Sequence, residues 1–338
     1  MATEVHALSR GRVPLQIIRT VTGDIPPDQL GFCQTHEHIW CDVRLNERKH
    51  LSGTVKRDHS GSMIFDERDR MLEELKMYYE MGGRALVDVT TNHWRPDCLT
   101  VRELSEESGV KIVITGGFYT EPSIPKWVDT LSIREIRDRL IAEMEEGDEH
   151  GIKVGLFKSG IYRGRIEGPE LKALRAVARA IGETGAAMTT HTGGARRYEV
   201  PGGTVGAQHL KFFKEEGVPA HRLIVGHVDE RPDVNLLSSL ADEGCFIQFD
   251  VIGKQHWLLE ETRAHLLKEL RDRGHLGQLL LGTDRCHKPE FYRELGGFGY
   301  THLFERFFDT LKKHGDFTDS EIRTVMEENP ARALTLTR

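Results

Sequence analysis

The 338-residue sequence has little of what marks several large protein classes. Its apolar runs are only a few residues long, far short of the roughly 20 that a membrane-spanning helix needs. Neither charge sign dominates: 46 basic and 53 acidic residues leave a formal net charge of −7. That balance provides no electrostatic footprint for nucleic acid or an anionic membrane. The five cysteines, at 33, 41, 98, 245 and 286, are scattered and include no CxxC pair, so they read as reduced thiols rather than a disulfide framework. The opening stretch MATEVHALSRGR has no apolar segment of the secretory kind. A cytoplasmic protein with neither nucleic-acid nor membrane partners is expected. No low-complexity tract or Pro/Ser-rich linker divides the chain, which predicts one domain over 1–338. Within it, 1–30 reads as an N-terminal extension, with LQIIRTVTG as a short hairpin closing a barrel floor, and 318–336 as a last helix.

What is present is an alternation. Gly82, Gly109, Gly151, Gly185, Gly217, Gly244 and Gly274 each stand where a helical pattern stops, a position that favours glycine because positive φ is common there. Short apolar runs follow: ALVDVTT from Ala85, KIVITGGF from Lys111, KVGLFKS from Lys153, AAMTTHT from Ala186, RLIVGHV from Arg222, CFIQFDV from Cys245 and QLLLGTD from Gln278. GFCQTHEH from Gly31 makes eight. The runs are more continuously apolar than alternating, as parallel strands covered on both faces are. Between them lie amphipathic stretches such as PELKALRAVARAIGET, where Leu171, Leu174, Val177, Ala178 and Ile181 keep helical spacing. Eight strand–helix repeats predict a (β/α)8 TIM barrel. A doubly wound sheet would usually carry GxGxxG after its first strand, and that motif is absent.

In such barrels the chemistry gathers at the C-terminal ends of the strands. The first predicted strand ends in His36, Glu37 and His38, the fourth at Lys158, the fifth at His191, the sixth at His227 and the eighth at Asp284. Alternation along a strand turns His36 and His38 to one face and Glu37 away from it. Imidazoles and a carboxylate converging on one mouth suit zinc or a similar divalent ion. Lys158 has two readings: a salt bridge to Asp284, or a neutral amine that takes up carbon dioxide to form a carbamate.

THEH on strand one, a lone lysine ending strand four, THT and GH on strands five and six, and GTD on strand eight resemble the phosphotriesterase family of the amidohydrolase superfamily. The likeness runs from THEH to the closing ENPARAL. It implies two divalent ions, zinc or alternatively Mn, Co or Fe. His36, His38 and Asp284 would hold the more buried ion, and His191 and His227 the other, with carboxylated Lys158 and a hydroxide bridging them. It also implies that Asp284 takes a proton from the hydroxide and passes it to the leaving group, and that the protein is a homodimer. Asp229 and Glu230 are candidates to orient His227 or to relay protons. Where phosphotriesterases proper carry a relay histidine on strand seven, this chain has Gln248 and Asp250.

Tyr119 ends strand three and resembles the tyrosine that lies against bound substrate in lactonase branches; packing with a solvated hydroxyl is its other reading. The mouth loops are polar: Lys254, Gln255 and His256 on loop seven, Arg285, His287, Lys288 and Arg293 on loop eight, Arg196, Arg197 and Tyr198 on loop five, and Arg231 after strand six. Tyr119, Lys254, Arg285 and Arg231 are the candidate substrate contacts. Lys254 and Arg285 resemble a pair that grips substrate phosphate in phosphorylated sugar lactonases. The expected activity is hydrolysis of a small polar lactone, a furanose sugar lactone or its phosphate. The alternatives are a phosphotriesterase, carboxylesterase or acyl-homoserine lactonase on the same site, and a metal-binding barrel without turnover.

Overall fold

The computed structural model describes residues 16–45, 63–120, 123–161, 166–192, 205–230 and 232–337. Eight strands form one sheet, each hydrogen-bonded in parallel to the next. They are β1 (Cys33–Glu37), β2 (Ala85–Asp88), β3 (Lys111–Gly117), β4 (Leu156–Gly160), β5 (Met188–His191), β6 (Leu223–Val225), β7 (Phe246–Phe249) and β8 (Leu279–Leu281). Each lies within its predicted run except β4, which extends one residue beyond it to Gly160. The helices that follow them in turn are α1 (Arg68–Glu80), α2 (Leu99–Ser108), α3 (Ile133–Glu145), α4 (Gly168–Thr184), α5 (Val205–Glu215), α6 (Val234–Asp242), α7 (Glu260–Leu270) and α8 (Phe308–Gly315). The sheet closes where β8 meets β1: Asp284 N donates to His36 O at 3.0 Å, and Thr35 Oγ1 to Leu281 O at 3.2 Å. This is a (β/α)8 TIM barrel.

Helix punctuation follows the sequence closely. All seven glycines read as helix stops have positive φ, but Gly151 is not one: the helix before it ends at Glu145, and Gly151 closes a turn on Asp148 O. On α4, Leu174, Val177, Ala178 and Ile181 are buried against the sheet, while Leu171 is half-buried at the margin. Inside the barrel, Cys33, Ala85, Val87, Val113, Leu156, Ala187, Ile224 and Leu280 form one apolar cluster.

Ile18 joins that cluster from below. It belongs to the expected hairpin, in which Gln16–Thr20 pairs antiparallel with Gly23–Ile25, and Val21 N donates to Ile112 O at 2.9 Å near the start of β3. The terminal helix expected over 318–336 stops earlier. Helical backbone runs from Asp319 to Leu334, and Leu336–Thr337 forms a strand beside Gln16 and Ile17. Edge pairing with the hairpin wins over one more half-turn of helix. Among the described residues no helix is long and apolar enough to cross a membrane.

Loop eight is anchored outside the barrel by Glu74 on α1. Its carboxylate packs so close to Gly299 that a Cβ there would collide with Oε2. Glu74 is 3% exposed, and burial pushes its pKa up from 4.5 to about 7 against the pull of Arg293 and Arg70. A carboxyl whose folded pKa is raised contributes stability that is full below the unfolded value and lost as pH climbs through the folded one. We therefore expect Glu74→Gln to gain unfolding free energy relative to wild type between pH 4.5 and about 7 and to level off above. Urea titrations across that range measure it; a pH-independent difference would show that the burial does not govern the ionisation.

Candidate metal centre at the barrel mouth

The parallel register brings the predicted strand-end residues into one layer. Lys158 pairs with Thr189 and with Gly117, and Gly160 with His191. His36, His38, Lys158, His227 and Asp284 are all buried, and His191 is half-buried. His36 Nε2 lies 3.6 Å and His38 Nε2 3.4 Å from Asp284 Oδ1. Across the mouth, His227 Nε2 faces His191 Nδ1 at 2.8 Å. The His36 and His227 rings stand 4.8 Å apart.

Asp250, just past β7, ties the two groups together. Its Oδ2 is 2.8 Å from His36 Nδ1, and its Oδ1 is 2.7 Å from His227 Nδ1. Oδ1 also accepts from His227 N at 2.8 Å. Both imidazoles thus turn their Nε2 atoms toward the mouth. His38 is oriented separately by Thr90, whose Oγ1 is 2.7 Å from its Nδ1.

Burial lowers the His36 pKa to about 4, with Asp250 opposing. Burial also disfavours the charge on His227, but there the Asp250 carboxylate prevails and raises the pKa to about 9. For Asp250, burial works against ionisation, and the adjacent imidazoles outweigh it and depress its pKa.

The donor set suits a divalent ion. His36 Nε2 is fully buried with no hydrogen-bond partner, although unpaired buried polar atoms are costly. The ligand atoms of His36, His38 and Asp284 lie within 4.8 Å of one another, and an imidazole backed by a carboxylate is a common metal-binding arrangement. His36, His227 and Asp250 also cluster, but there both Asp250 oxygens face Nδ1 atoms, which makes that carboxylate an orienting group.

Several sequence readings need correction. The group that orients His227 is Asp250 rather than Asp229. Asp229 Oδ2 instead holds Arg263 Nε at 2.7 Å. The salt bridge considered between Lys158 and Asp284 belongs to Lys254, whose Nζ is 2.8 Å from Asp284 Oδ2. Lys158 Nζ donates to Val89 O at 3.1 Å and sits 5.4 Å from the Tyr119 ring centre; burial lowers its pKa. Arg285 is 4% exposed and donates to Gly299 O at 3.1 Å and Ile252 O at 3.3 Å. Neither Lys254 nor Arg285 is a free cation awaiting phosphate. Lys288 pairs with Asp66 and Glu67, and Arg293 with Glu305. Arg231, Arg196, Arg197 and Tyr198 lie outside the described residues.

Tyr119 is where the sequence puts it, with its hydroxyl 2.9 Å from His191 Nε2 and the Trp94 ring tilted against it at 4.8 Å between centres. Beside Asp284, a cavity of about 540 Å3 opens between loops seven and eight, lined by Lys254, Gln255, His256, Arg285, His302 and Arg306 among others. The sequence reading gave no role to Asp250 or Thr90. Alternation was the available signal, since each stands two residues beyond another strand-end residue, Gln248 and Asp88.

An eight-stranded parallel barrel with imidazoles and carboxylates gathered at its C-terminal mouth defines a barrel of the metal-dependent hydrolase class. Within that class the chain belongs to the phosphotriesterase family, whose sequence profile matches residues 16–334. It is 27% identical over 307 residues to the phosphotriesterase homology protein of Escherichia coli (strain K12), covering 90% of this chain and 98% of that one. It is 25% identical to the N-acetyltaurine hydrolase of Dictyostelium discoideum, covering 94% and 98%. Among solved structures, the lactonase from Listeria monocytogenes superposes with a TM-score of 0.82 at 26% identity, covering 95% of this chain and all (100%) of that one.

Asp250 is the group whose loss we expect the apo-protein to feel most. Asp250→Ala removes the partner of a buried imidazolium, and breaking such a pair costs about 3–5 kcal/mol. Denaturation of chelator-treated protein at pH 7 measures this, and a loss under 1 kcal/mol would show that the pair carries no charge.

Proposed function

We propose that the protein is a binuclear metal-dependent hydrolase that opens a small polar lactone. His36, His38 and Asp284 hold one ion, His191 and His227 the second, and carboxylated Lys158 joins them. The observation that carries this reading is the orphaned Nε2 of His36 aimed at Asp284 Oδ1, opposite the facing His191–His227 pair. When bound, divalent ions in such a site activate water for attack and polarise the scissile carbonyl.

The protein's own groups set the rest. Asp250 fixes which nitrogens of His36 and His227 face the mouth. Burial lowers the Lys158 pKa, which favours the neutral amine whose Nζ adds to carbon dioxide with release of a proton. Asp284 Oδ2, 2.8 Å from Lys254 Nζ, accepts the proton of the attacking water and returns it to the leaving alkoxide. Burial would raise the Asp284 pKa, but Lys254 and His38 hold it well below the usual range. The Tyr119 hydroxyl, fixed on His191, is available to the substrate oxygen as a donor.

The cavity between loops seven and eight, lined by Lys254, Gln255, His256 and Arg285 together with Leu295 and Phe298, supports a small substrate that carries hydroxyls on an apolar frame. Because Lys254 and Arg285 are engaged within the protein, the unphosphorylated sugar lactone is the better fit. The relatives named N-acetyltaurine hydrolase favour a second reading, cleavage of a small N-acyl amine with an anionic end.

The test is proton release from metal-free and zinc-reconstituted protein over one panel: aldono-1,4-lactones, their 5-phosphates, simple δ-lactones, acyl-homoserine lactones, N-acetyltaurine and an aryl phosphotriester. We expect turnover of aldonolactones that disappears with the metal, and a fall of about 10²–10⁴ in kcat for Asp284→Asn. Lactone turnover that survives complete metal removal would refute the mechanism. Turnover of N-acetyltaurine alone would move the assignment to the amide, and silence with metal bound would leave a binding barrel.

A further inference from the structure

Glu37 is the residue between the two histidines of β1, and the carboxylate has 0% exposure. It points neither to the mouth nor to solvent. It reaches across the seam to the segment after β8, where Oε1 accepts from Thr283 N at 2.7 Å and Oε2 from Arg285 N at 3.0 Å. The Thr283 hydroxyl is 2.8 Å from Oε1 and 2.9 Å from Oε2. Asp284 lies between these two anchor points, and its own N–H donates to His36 O at 3.0 Å. Three successive peptide N–H groups are thus bound to β1, two through the Glu37 side chain and one through the backbone.

Asp284 has φ +46°, a left-handed conformation that costs a non-glycine residue energy and persists only where its surroundings enforce it. The two clamped neighbours provide that enforcement. Burial pushes the Glu37 pKa up to about 8, and in either protonation state its two oxygens accept from the peptide N–H groups of Thr283 and Arg285.

We propose that Glu37 is a positioning residue of the metal centre. It clamps residues 283–285 so that Asp284 stays left-handed and turns Oδ1 to the Nε2 atoms of His36 and His38. This rests on the metal reading above. Glutamine at position 37 would keep the size but set an NH2 group against one of the donors it replaces. The 283–285 segment would shift, and the ion held by Asp284 would loosen. The ion between His191 and His227 has no contact with the clamp.

The experiment titrates chelator-treated protein with Co2+ and with Zn2+ alone, counting equivalents by elemental analysis and following the cobalt visible spectrum. Wild type should take up two equivalents. Folded Glu37→Gln should retain one and bind the other at least about tenfold more weakly, the scale of lost orienting groups in metal sites. Should Glu37→Gln not fold, Glu37→Asp, which keeps the charge but falls one methylene short, carries the same expectation. Either folded variant binding both ions with wild-type affinity would overturn the proposal, and so would equal weakening of both. Wild type that binds no metal would refute the metal reading itself and the clamp with it, an outcome seen before any variant is compared.

Discussion

The mouth of this barrel exists because β8 closes against β1. His36 and His38 stand on one side of that seam and Asp284 on the other, so an open sheet would separate the side chains that converge. Closure demands a close approach of backbones: a Cβ on Gly282 would sit 3.0 Å from His36 O and 3.1 Å from His36 N. Glycine at this position is a condition of the site rather than a flexible joint. At the opposite end, Ile18 and Leu30 complete the apolar packing of the interior. The barrel is therefore filled from below and polar only at the top, where backbone bonds give way to side-chain bonds across the seam.

Much of this was legible in the sequence, and for local reasons. Strand positions follow from apolar runs of a few residues, and helix ends follow from glycines that the chain needs at positive φ. His36 and His38 follow from a period of two, and parallel register sets His191 level with Gly160, two residues beyond Lys158. What stayed hidden depends on which distant groups meet. Asp250 lies 23 positions from His227 and serves two histidines at once. Lys254 meets Asp284 across 30 positions. Periodicity shows which face a residue takes, but not what stands opposite. The terminal helix shows the same limit, since Leu336 leaves helical backbone to pair with a hairpin more than 300 residues earlier.

Charge is where counting residues misleads most. The mouth loops carry many cations on paper, yet several are consumed internally. Arg285 holds the backbone of loops seven and eight through Ile252 O and Gly299 O. Arg263 bonds Lys254 O while pairing with Asp229, which braces loop seven. Lys288 and Arg293 are tied to carboxylates at the rim. A desolvated guanidinium satisfied by carbonyls is a structural brace, and its charge is not free for a ligand without breaking those bonds. The loops thus owe their shape to the same side chains that would otherwise have marked the site as an anion trap.

Backbone strain points to the same centre. Among the described residues only His227, Asp284 and Asp316 take positive φ without being glycine. Asp316 terminates α8, an ordinary place for a left-handed residue. His227 and Asp284 stand at the mouth, and each is held by bonds from another strand end: His227 by Asp250 at both N and Nδ1, Asp284 by β1 through its own N–H and those of its neighbours. Strain of this kind is normally selected against unless it aims a side chain. Here relaxing either residue would swing its side chain away from a neighbour already within 4 Å. The two strained residues come from opposite sides of the cluster, Asp284 beside His36 and His38 and His227 beside His191. The cost is therefore borne twice, once on each side of the mouth.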